Sequence, residues 1–297
     1  MTCAAENIRI IRAQCMGLCG GVRHALELFS QVRAALPPEQ RLYVVHELCH
    51  NRFVTGRMRA QNAVFVTAAA ELPAGAVAFI GAHGLDRESE LLLQQRASRV
   101  IDATCPMVKR LQQAAAELLP DESMVFFGGA HHPECIGVCS RNHGKSCHIV
   151  AGLSAVASLP PLDRPVFFSQ TTMNACQSEA IYEALRLRFP NVRRVAPVCS
   201  ASSERQNAVL DMLPQIEALV VVGSPNSSNA NRLRELGVAG GIPAWLVDEP
   251  SQLPPELWQY RVVGITAGAS TPGEQIEAVA GALESRCRNA AAAPGGL

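Results

Sequence analysis

Residues 124–134 read MVFFGGAHHPE, and this stretch shows how the whole chain is built. The apolar run Met124–Phe127 predicts a short buried strand, and the small residues after it predict a tight loop that leads into a helix. The other predicted strands are Leu42–Val45, Ala76–Ile80, Val166–Phe168, Leu219–Val222, Ala244–Val247 and Val262–Ile265. Amphipathic stretches with apolar residues at helical spacing lie between them. This alternation predicts an α/β protein with mostly parallel sheets.

Four of the predicted strands run into loops of similar character. Each loop is rich in small residues and carries histidine, serine, asparagine or glutamate. The loops are GAHG at 81–84, GGAHHPE at 128–134, GSPNSSN at 223–229 and TAGAS at 266–270. Ligands of parallel α/β units bind at the carboxyl ends of the strands, and backbone N–H groups and helix N-termini there hold anions. The sequence therefore predicts an anion-binding site at these strand ends.

The composition limits the possible classes of protein. The chain has 297 residues, of which 48% are hydrophobic and 18% charged, so we expect two or three compact units. Lysine and arginine number 26 and so do the acidic residues, a balance that argues against a nucleic-acid partner. No apolar run approaches the roughly 20 residues of a membrane span, and the N-terminus lacks the pattern of a signal peptide. We expect a soluble cytoplasmic protein with no membrane or nucleic-acid partner.

The cysteines are numerous, and three of them have a common setting. The total of eleven is odd, which in a chain without an export signal favours reduced thiols. Cys19, Cys105 and Cys199 lie about 90 residues apart, and each precedes a predicted helix. Helix N-termini favour thiolates, which bind soft metals, so these three are candidates for an iron–sulfur cluster with one iron left open.

Other interpretations of the cysteines stay open. Cysteine is also a small hydrophobic residue that is often buried without any chemical role. The pairs Cys15/Cys19 and Cys135/Cys139 are each spaced by four residues, which would place each pair on one face of a helix. Zinc is possible too, although no C-x₂-C pair is followed by a second one.

The motifs in these segments resemble the 4-hydroxy-3-methylbut-2-enyl diphosphate reductase family (LytB/IspH). The resemblance runs from Ile8 to Leu283 and is specific because many separate motifs occur in the family's order. They are G-L-C-G-G-V (17–22), H-N-R-F-V (50–54), G-A-H-G (81–84), D-A-T-C-P (102–106), H-H-P-E (131–134), S-Q-T-T (169–172), C-S-A-S-S-E-R-Q (199–206), V-G-S-P-N-S-S-N-A-N-R-L (222–233) and T-A-G-A-S-T-P (266–272).

This resemblance implies a fold and a cofactor. The implied fold is three similar α/β units in a pseudo-threefold arrangement around a central [4Fe-4S] cluster. On this basis we expect a first unit over 1–104, with the N-terminal strand and Cys19. A second unit over 105–198 would hold Cys105 and Glu134, and a third over 199–297 would hold Cys199 and end in a disordered tail, AAAAPGGL. The cluster would have Cys19, Cys105 and Cys199 as ligands and one open iron, and air would degrade it to [3Fe-4S] or remove it.

The resemblance also implies a reaction and its residues. The expected activity is the two-electron reductive dehydroxylation of 4-hydroxy-3-methylbut-2-enyl diphosphate to isopentenyl and dimethylallyl diphosphate, with ferredoxin or flavodoxin as electron donor. Glu134 is the implied proton donor, and the Thr171 hydroxyl is its partner. The implied substrate-binding residues are His50, His83, His132, Thr172, Ser227, Ser228, Asn229 and Ser270.

Several residues near these motifs depart from the family pattern. Met16 stands where the family has arginine, Val138 replaces a hydroxyl residue, and Ile136 and Glu204 lie in segments that keep only part of the pattern. Three interpretations therefore stay open: the reductase itself, a diverged paralogue that uses the same cluster chemistry on another substrate, and a non-catalytic iron–sulfur redox sensor.

Overall fold

The computed structural model describes residues 8–292, and side chains within residues 8–285. The strands are β1 Arg9–Arg12, β2 Leu42–Val45, β3 Ala63–Val66, β4 Val77–Ile80, β5 Arg99–Asp102, β6 Glu122–Phe127, β7 Cys147–Val150, β8 Arg164–Ser169, β9 Arg193–Arg194, β10 Ala218–Val222, β11 Ala244–Val247 and β12 Val262–Ala267. The α-helices are α1 Gly20–Ala35, α2 Arg52–Ala60, α3 Arg87–Arg96, α4 Pro106–Ala116, α5 Pro133–Cys139, α6 Ala175–Arg188, α7 Ser200–Met212, α8 Ser228–Ala239 and α9 Gly273–Ala292.

The predicted fold class is confirmed. The strands form three four-stranded sheets, and every strand pair within them is parallel. The chain divides into two compact units. The first holds the chain up to Cys19, His50–Val54 and the chain from Ala201 onward, and the second holds Gly20–Cys49 and Thr55–Ser200.

The first unit contains one sheet with the strand order β1-β12-β10-β11. Strand β10 is buried along its whole length, as expected for a central parallel strand with the sequence ALVVV. We placed the N-terminal strand in the unit 1–104, but β1 pairs with β12 near the other end of the sequence. Its two isoleucines pack against the cores on the two faces of this sheet, which accounts for the pairing.

The second unit contains the other two sheets. Their strand orders are β3-β2-β4-β5 and β7-β6-β8-β9. Aromatic side chains fill the core of the second sheet: Phe126, Phe127, Phe167 and Phe168 are all fully buried. They alternate along β6 and β8, so successive rings fill the cores on opposite faces of the sheet.

The C-terminal tail is more ordered at its start than we expected. Helix α9 continues through Ala292, into the stretch predicted to be disordered, because alanine is the strongest helix former. The rest of that stretch lies outside the described residues. Within the described part of the chain, none of the helices combines the length and the apolar character that a membrane span requires.

Candidate active site

Glu134 and Thr171 form the central pair of the second unit. Glu134 lies in the first turn of α5, after Pro133, and its side chain is only 1% exposed. The backbone N–H of Thr171 donates to Oε1 over 2.6 Å, and the Thr171 hydroxyl donates to Oε2 over 2.7 Å. Both carboxyl oxygens are thus held by one residue, which fixes the orientation of the carboxyl group. The structure brings together the two residues that the family resemblance paired.

Burial changes the acidity of this carboxyl group. Desolvation raises the pKa of Glu134 to about 7, against the smaller opposing effect of the two hydrogen bonds from Thr171. A carboxyl group with this pKa is partly protonated at neutral pH and can both give and take a proton there. Strongly perturbed carboxyl groups of this kind are typical of catalytic sites.

Two of the predicted histidines lie close to this pair. His132 caps the N-terminus of α5, where its Nδ1 accepts a hydrogen bond from the backbone N–H of Glu134. The His83 ring meets the His132 ring edge to face, with 5.5 Å between the centroids. Gly84, with φ of 71°, allows the tight turn beside His83, because a Cβ atom there would lie 2.8 Å from Gln112 Nε2.

Gln170 is a residue of this site that the sequence analysis did not single out. Its Oε1 accepts a hydrogen bond from the backbone N–H of Gly129, and its Nε2 donates to Thr172 Oγ1. The buried amide therefore joins the loop after β6 to the loop after β8. Its place in the S-Q-T-T motif was the signal that could have identified it.

The remaining predicted substrate-binding residues lie in the first unit. Ser227 caps α8 by accepting a hydrogen bond from Ala230 N–H, and Ser228 is the first helical residue. Asn229 Oδ1 accepts a hydrogen bond from the backbone N–H of Ala269 over 2.8 Å. The Ser270 hydroxyl donates to the backbone carbonyl of His50. Within this unit, the loop after β12 thus connects the start of α8 to His50.

The N-terminus of α8 has the features of an anion site. Glycines at 223 and 268 allow close packing, because a Cβ atom at either position would lie 2.9 Å from Ala230 Cβ. Asn229 is 3% exposed, and its Nδ2 has no hydrogen-bond acceptor among the described residues. A buried amide donor without an acceptor is costly and is typical of a position that a ligand completes. The helix N-terminus adds further N–H donors that favour an anion.

The three candidate ligand cysteines all directly precede helices, as predicted. Cys19 is followed by α1, Cys105 is the N-cap of α4, and Cys199 is followed by α7. The backbone N–H of Cys19 donates to Ala269 carbonyl. Gly21 leaves room beside Cys105, because a Cβ atom at this glycine would lie 2.6 Å from Cys105 Sγ.

Arg205 is a second residue that the sequence analysis did not assign. The side chain is buried on α7, and its Nε and Nη2 donate to the carbonyl of Gly17 over 3.0 and 2.7 Å. A third bond goes to the carbonyl of Ala201. Gly17 has φ of 77° and lies two residues before Cys19, so Arg205 fixes the loop that carries this cysteine.

The departures from the family pattern fall on core or surface positions. Val138 is fully buried in the core that includes Phe126, where an apolar side chain packs well. Met16 packs against the core of the first unit. Glu204 is exposed on α7, and Ile136 is 46% exposed on α5. These substitutions are compatible with the local packing.

Comparison with known proteins identifies the relatives of this chain. The family model described as "LytB protein" matches residues 10–284. The chain is 38% identical to the 4-hydroxy-3-methylbut-2-enyl diphosphate reductase of Zymomonas mobilis, over 94% of this chain and 83% of that protein. It is 36% identical to the protein of the same name from Ralstonia nicotianae, over 94% of this chain and 87% of that protein.

Solved structures show the same fold. The reductase structure from Plasmodium falciparum superposes with a TM-score of 0.85 at 24% identity, over 92% of this chain and 86% of that chain. A second structure, of (E)-4-hydroxy-3-methyl-but-2-enyl diphosphate reductase, superposes with a TM-score of 0.64 at 27% identity, over 94% of this chain and 99% of that chain.

Proposed function

Because this chain belongs to the LytB protein family, we propose that it reduces 4-hydroxy-3-methylbut-2-enyl diphosphate to isopentenyl and dimethylallyl diphosphate. The overall change adds two electrons and two protons to the substrate and releases its hydroxyl group as water. The observation that supports this most strongly is the buried Glu134 carboxyl group, held by Thr171 and with its pKa raised to about 7. The reaction requires a proton donor that works near neutral pH, and this carboxyl group meets that requirement.

The three cysteines fit an iron–sulfur cluster with three protein ligands. Cys19, Cys105 and Cys199 each stand immediately before a helix, where the first N–H groups favour thiolate sulfur. The absent side chain of Gly21 leaves space at Cys105 Sγ. When bound, a [4Fe-4S] cluster would supply single electrons and, at its open iron, a Lewis acid for the substrate hydroxyl group.

We assign the diphosphate to hydroxyl, amide, imidazole and backbone N–H donors. In the first unit, these are Asn229 Nδ2, Ser227, Ser228, Ser270 and His50, together with the N-terminus of α8. In the second unit, His83, His132 and Thr172 take the same role. A phosphate oxygen at Asn229 would supply the acceptor that its buried amide requires.

Glu134 and Thr171 transfer protons to the substrate. Glu134 is partly protonated at neutral pH and passes its proton through the Thr171 hydroxyl, which is hydrogen-bonded to the carboxyl group. One proton leaves with the hydroxyl oxygen as water, and a second proton is added to the carbon skeleton. The two electrons would come from a small redox protein such as a ferredoxin or flavodoxin.

A dye-linked assay tests this proposal. The protein is purified without oxygen, reduced methyl viologen is added, and dye oxidation is followed with the hydroxymethylbutenyl diphosphate as substrate. We expect substrate-dependent oxidation and both isomeric products. A protein that shows the cluster absorption but no turnover would contradict the reductase assignment and would favour the paralogue or the redox sensor.

Single cysteine variants test the ligand assignment separately. We expect Cys19→Ser, Cys105→Ser and Cys199→Ser each to remove the brown iron–sulfur absorption, because three ligands are needed to hold the cluster. Cys147→Ser serves as the matched control and should keep the colour and the iron content. Equal bleaching by Cys147→Ser would contradict the assignment.

A further inference from the structure

Three cysteines outside the proposed active site lie beside one another in the second unit. Cys135 and Cys139 lie one turn apart on α5, and their sulfur atoms are 3.9 Å apart. Cys147 is the first residue of β7, and its sulfur lies 3.0 Å from that of Cys139. We call Cys135, Cys139 and Cys147 the thiol set. All three are free thiols.

Local structure accounts for this grouping. The spacing of four residues places Cys135 and Cys139 on the same face of α5, as the sequence predicted, and this face packs against the sheet core. Cys147 pairs in parallel register with Met124 of β6. The Met124 sulfur lies 3.5 Å from Cys147 Sγ and 3.8 Å from Cys139 Sγ, so it packs against both thiols.

The arrangement of the three thiols is that of a row, with Cys139 in the middle. Among the described residues, the three sulfur atoms of the thiol set do not all lie within 4.8 Å of one another. Sulfur ligands of one tetrahedral metal ion lie closer to one another than this, since each is about 2.3 Å from the metal. The geometry therefore favours a bond between neighbouring thiols over a shared metal ion.

We propose that Cys139 and Cys147 are a redox-active dithiol that a peroxide converts into a reversible disulfide. Their sulfur atoms are already in contact at 3.0 Å, and a disulfide needs a further approach of about 1 Å. Both residues are partly exposed, whereas Cys135 is fully buried. A small oxidant can thus reach Cys139 and Cys147, whereas the buried Cys135 is protected from it.

Electrostatics distinguishes the two thiols. The hydrogen bond from the Cys139 thiol lowers the pKa of Cys147, and hydrogen bonding to Cys135 and Cys147 together with burial raises the pKa of Cys139. Cys147 is therefore the more acidic of the two thiols and the one that more readily forms the nucleophilic thiolate. Cys139 keeps its proton and is placed to react second.

The chemistry is balanced with peroxide as the oxidant. The Cys147 thiolate attacks one peroxide oxygen, the O–O bond breaks, and hydroxide leaves with Cys147 as the sulfenic acid. Cys139 sulfur then attacks the Cys147 sulfur, the S–O bond breaks, and water leaves as the disulfide forms. Two thiols and one hydrogen peroxide thus give one disulfide and two waters.

The connecting loop brings the two cysteines together. Residues 140–146 join the end of α5 to β7 and turn at His143 and Gly144, with φ of 55° and 77°. Asn142 stabilises the turn by donating to the carbonyl of Lys145 and accepting from Gly144 N–H. A disulfide would fix the C-terminus of the helix whose first turn carries Glu134.

Peptide mapping tests the proposal directly. The full-length protein, purified without oxygen, is treated with equimolar hydrogen peroxide, alkylated, and digested with trypsin without reduction. Trypsin cleaves after Arg141 and Lys145, so the expected bond joins two otherwise separate peptides. We expect this linked pair to appear before the exposed Cys176 is oxidised, and dithiothreitol to reverse it. Oxidation of Cys176 with no linked pair would overturn the proposal.

Serine variants identify the bonded sulfur atoms. Cys139→Ser and Cys147→Ser should each reduce the linked peptide at least tenfold, whereas Cys135→Ser and the matched control Cys176→Ser should leave it unchanged. A linked peptide that survives Cys139→Ser would overturn the assignment. Iron-loaded and iron-free protein should give the same linked pair, so this test has its own readout and does not depend on the proposed reductase activity.

Discussion

Two buried glutamates at opposite ends of β6 show how surroundings decide what a carboxyl group does. Glu122 begins the strand and is 4% exposed, and Glu134 follows the loop at its other end and is 1% exposed. Arg193 donates to both oxygens of Glu122 over 2.7 and 2.9 Å, and Leu119 N–H adds a third bond. Among the described residues, the donors to Glu134 are the neutral groups of Thr171.

The different hydrogen-bond partners of Glu122 and Glu134 explain why their pKa values shift in opposite directions. The hydrogen bond from Arg193 lowers the pKa of Glu122, so this residue stays charged at neutral pH. Burial raises the pKa of Glu134 to about 7, and no cationic partner opposes this effect among the described residues. The ion pair at the start of the strand is structural. The carboxyl group beyond its carboxyl end, where parallel sheets bind ligands, is available for proton transfer.

The largest effect should come from removing the proton of Glu134. We expect Glu134→Gln to lower turnover by roughly 10³-fold, because a positioned general acid contributes about that much to a rate. Substrate affinity should change little, since the amide keeps the size of the side chain. Dye-linked turnover and calorimetric titration with substrate measure the two quantities. Loss of binding together with turnover would contradict a role in protonation.

The pH dependence of stability is the next largest effect. With a pKa of about 7 folded and 4.5 unfolded, the folded state holds the Glu134 proton more tightly. Unfolding therefore becomes easier as pH rises from about 4.5 to 7. The free energy of unfolding of Glu134→Gln should rise relative to that of the native protein by about 3 kcal/mol over this range.

Urea unfolding at several pH values measures this difference. Placing the amide of Glu134→Gln opposite the two donors of Thr171 changes the free energy of unfolding by the same amount at every pH. This constant term does not affect the slope with pH, which reports only the ionisable side chain. Parallel stability curves for Glu134→Gln and the native protein would contradict the raised pKa.

Glu122 should respond in the opposite direction. Glu122→Gln removes a charged hydrogen-bonded pair, and we expect a loss of about 1–2 kcal/mol in the free energy of unfolding at neutral pH. Because the folded pKa of Glu122 is lowered, its contribution is present above the unfolded value and is lost as pH falls through the folded value. The deficit of Glu122→Gln should therefore disappear in acid. Turnover of the folded variant should match that of the native protein, and a large drop would break the contrast with Glu134.

The sequence predicts the centre of each sheet better than its edges. The strands that were predicted include all six central ones, β2, β4, β6, β8, β10 and β12. The four that were not predicted, β3, β5, β7 and β9, all lie at sheet edges, and the N-terminal strand β1, which was expected without bounds, is an edge strand too. Central parallel strands are buried on both faces and read as continuous apolar runs. Edge strands such as RIIR and RVID carry charged ends and are partly exposed.

The site follows a similar rule. The strand-end loops of the sequence contain Glu134 and the start of α8, whereas Thr171 and the pairing of Glu134 with it came only from the family resemblance. Gln170 and Arg205 act through hydrogen bonds to backbone atoms 41 and 188 residues away. Such partners become visible only when the chain is folded. The neighbouring sulfur atoms of Cys139 and Cys147 likewise depend on a strand that the sequence did not predict.

The smallest expected effect comes from removing one of the two hydrogen-bond donors to Glu134. Thr171→Val removes the hydroxyl hydrogen bond to Oε2 and keeps the backbone bond to Oε1. That hydroxyl bond lowers the pKa of Glu134, so its loss should raise the pKa further and shift the alkaline limb of the turnover profile to higher pH. Turnover at neutral pH should fall about tenfold, since the Thr171 hydroxyl no longer relays the proton.

Thr172→Val is the matched comparison. The Thr172 hydroxyl accepts a hydrogen bond from Gln170, and we assign it to substrate binding. KM should therefore rise while the alkaline limb stays in place. An equal shift of the limb in both variants would mean that Thr171 has no special part in setting the acidity of Glu134.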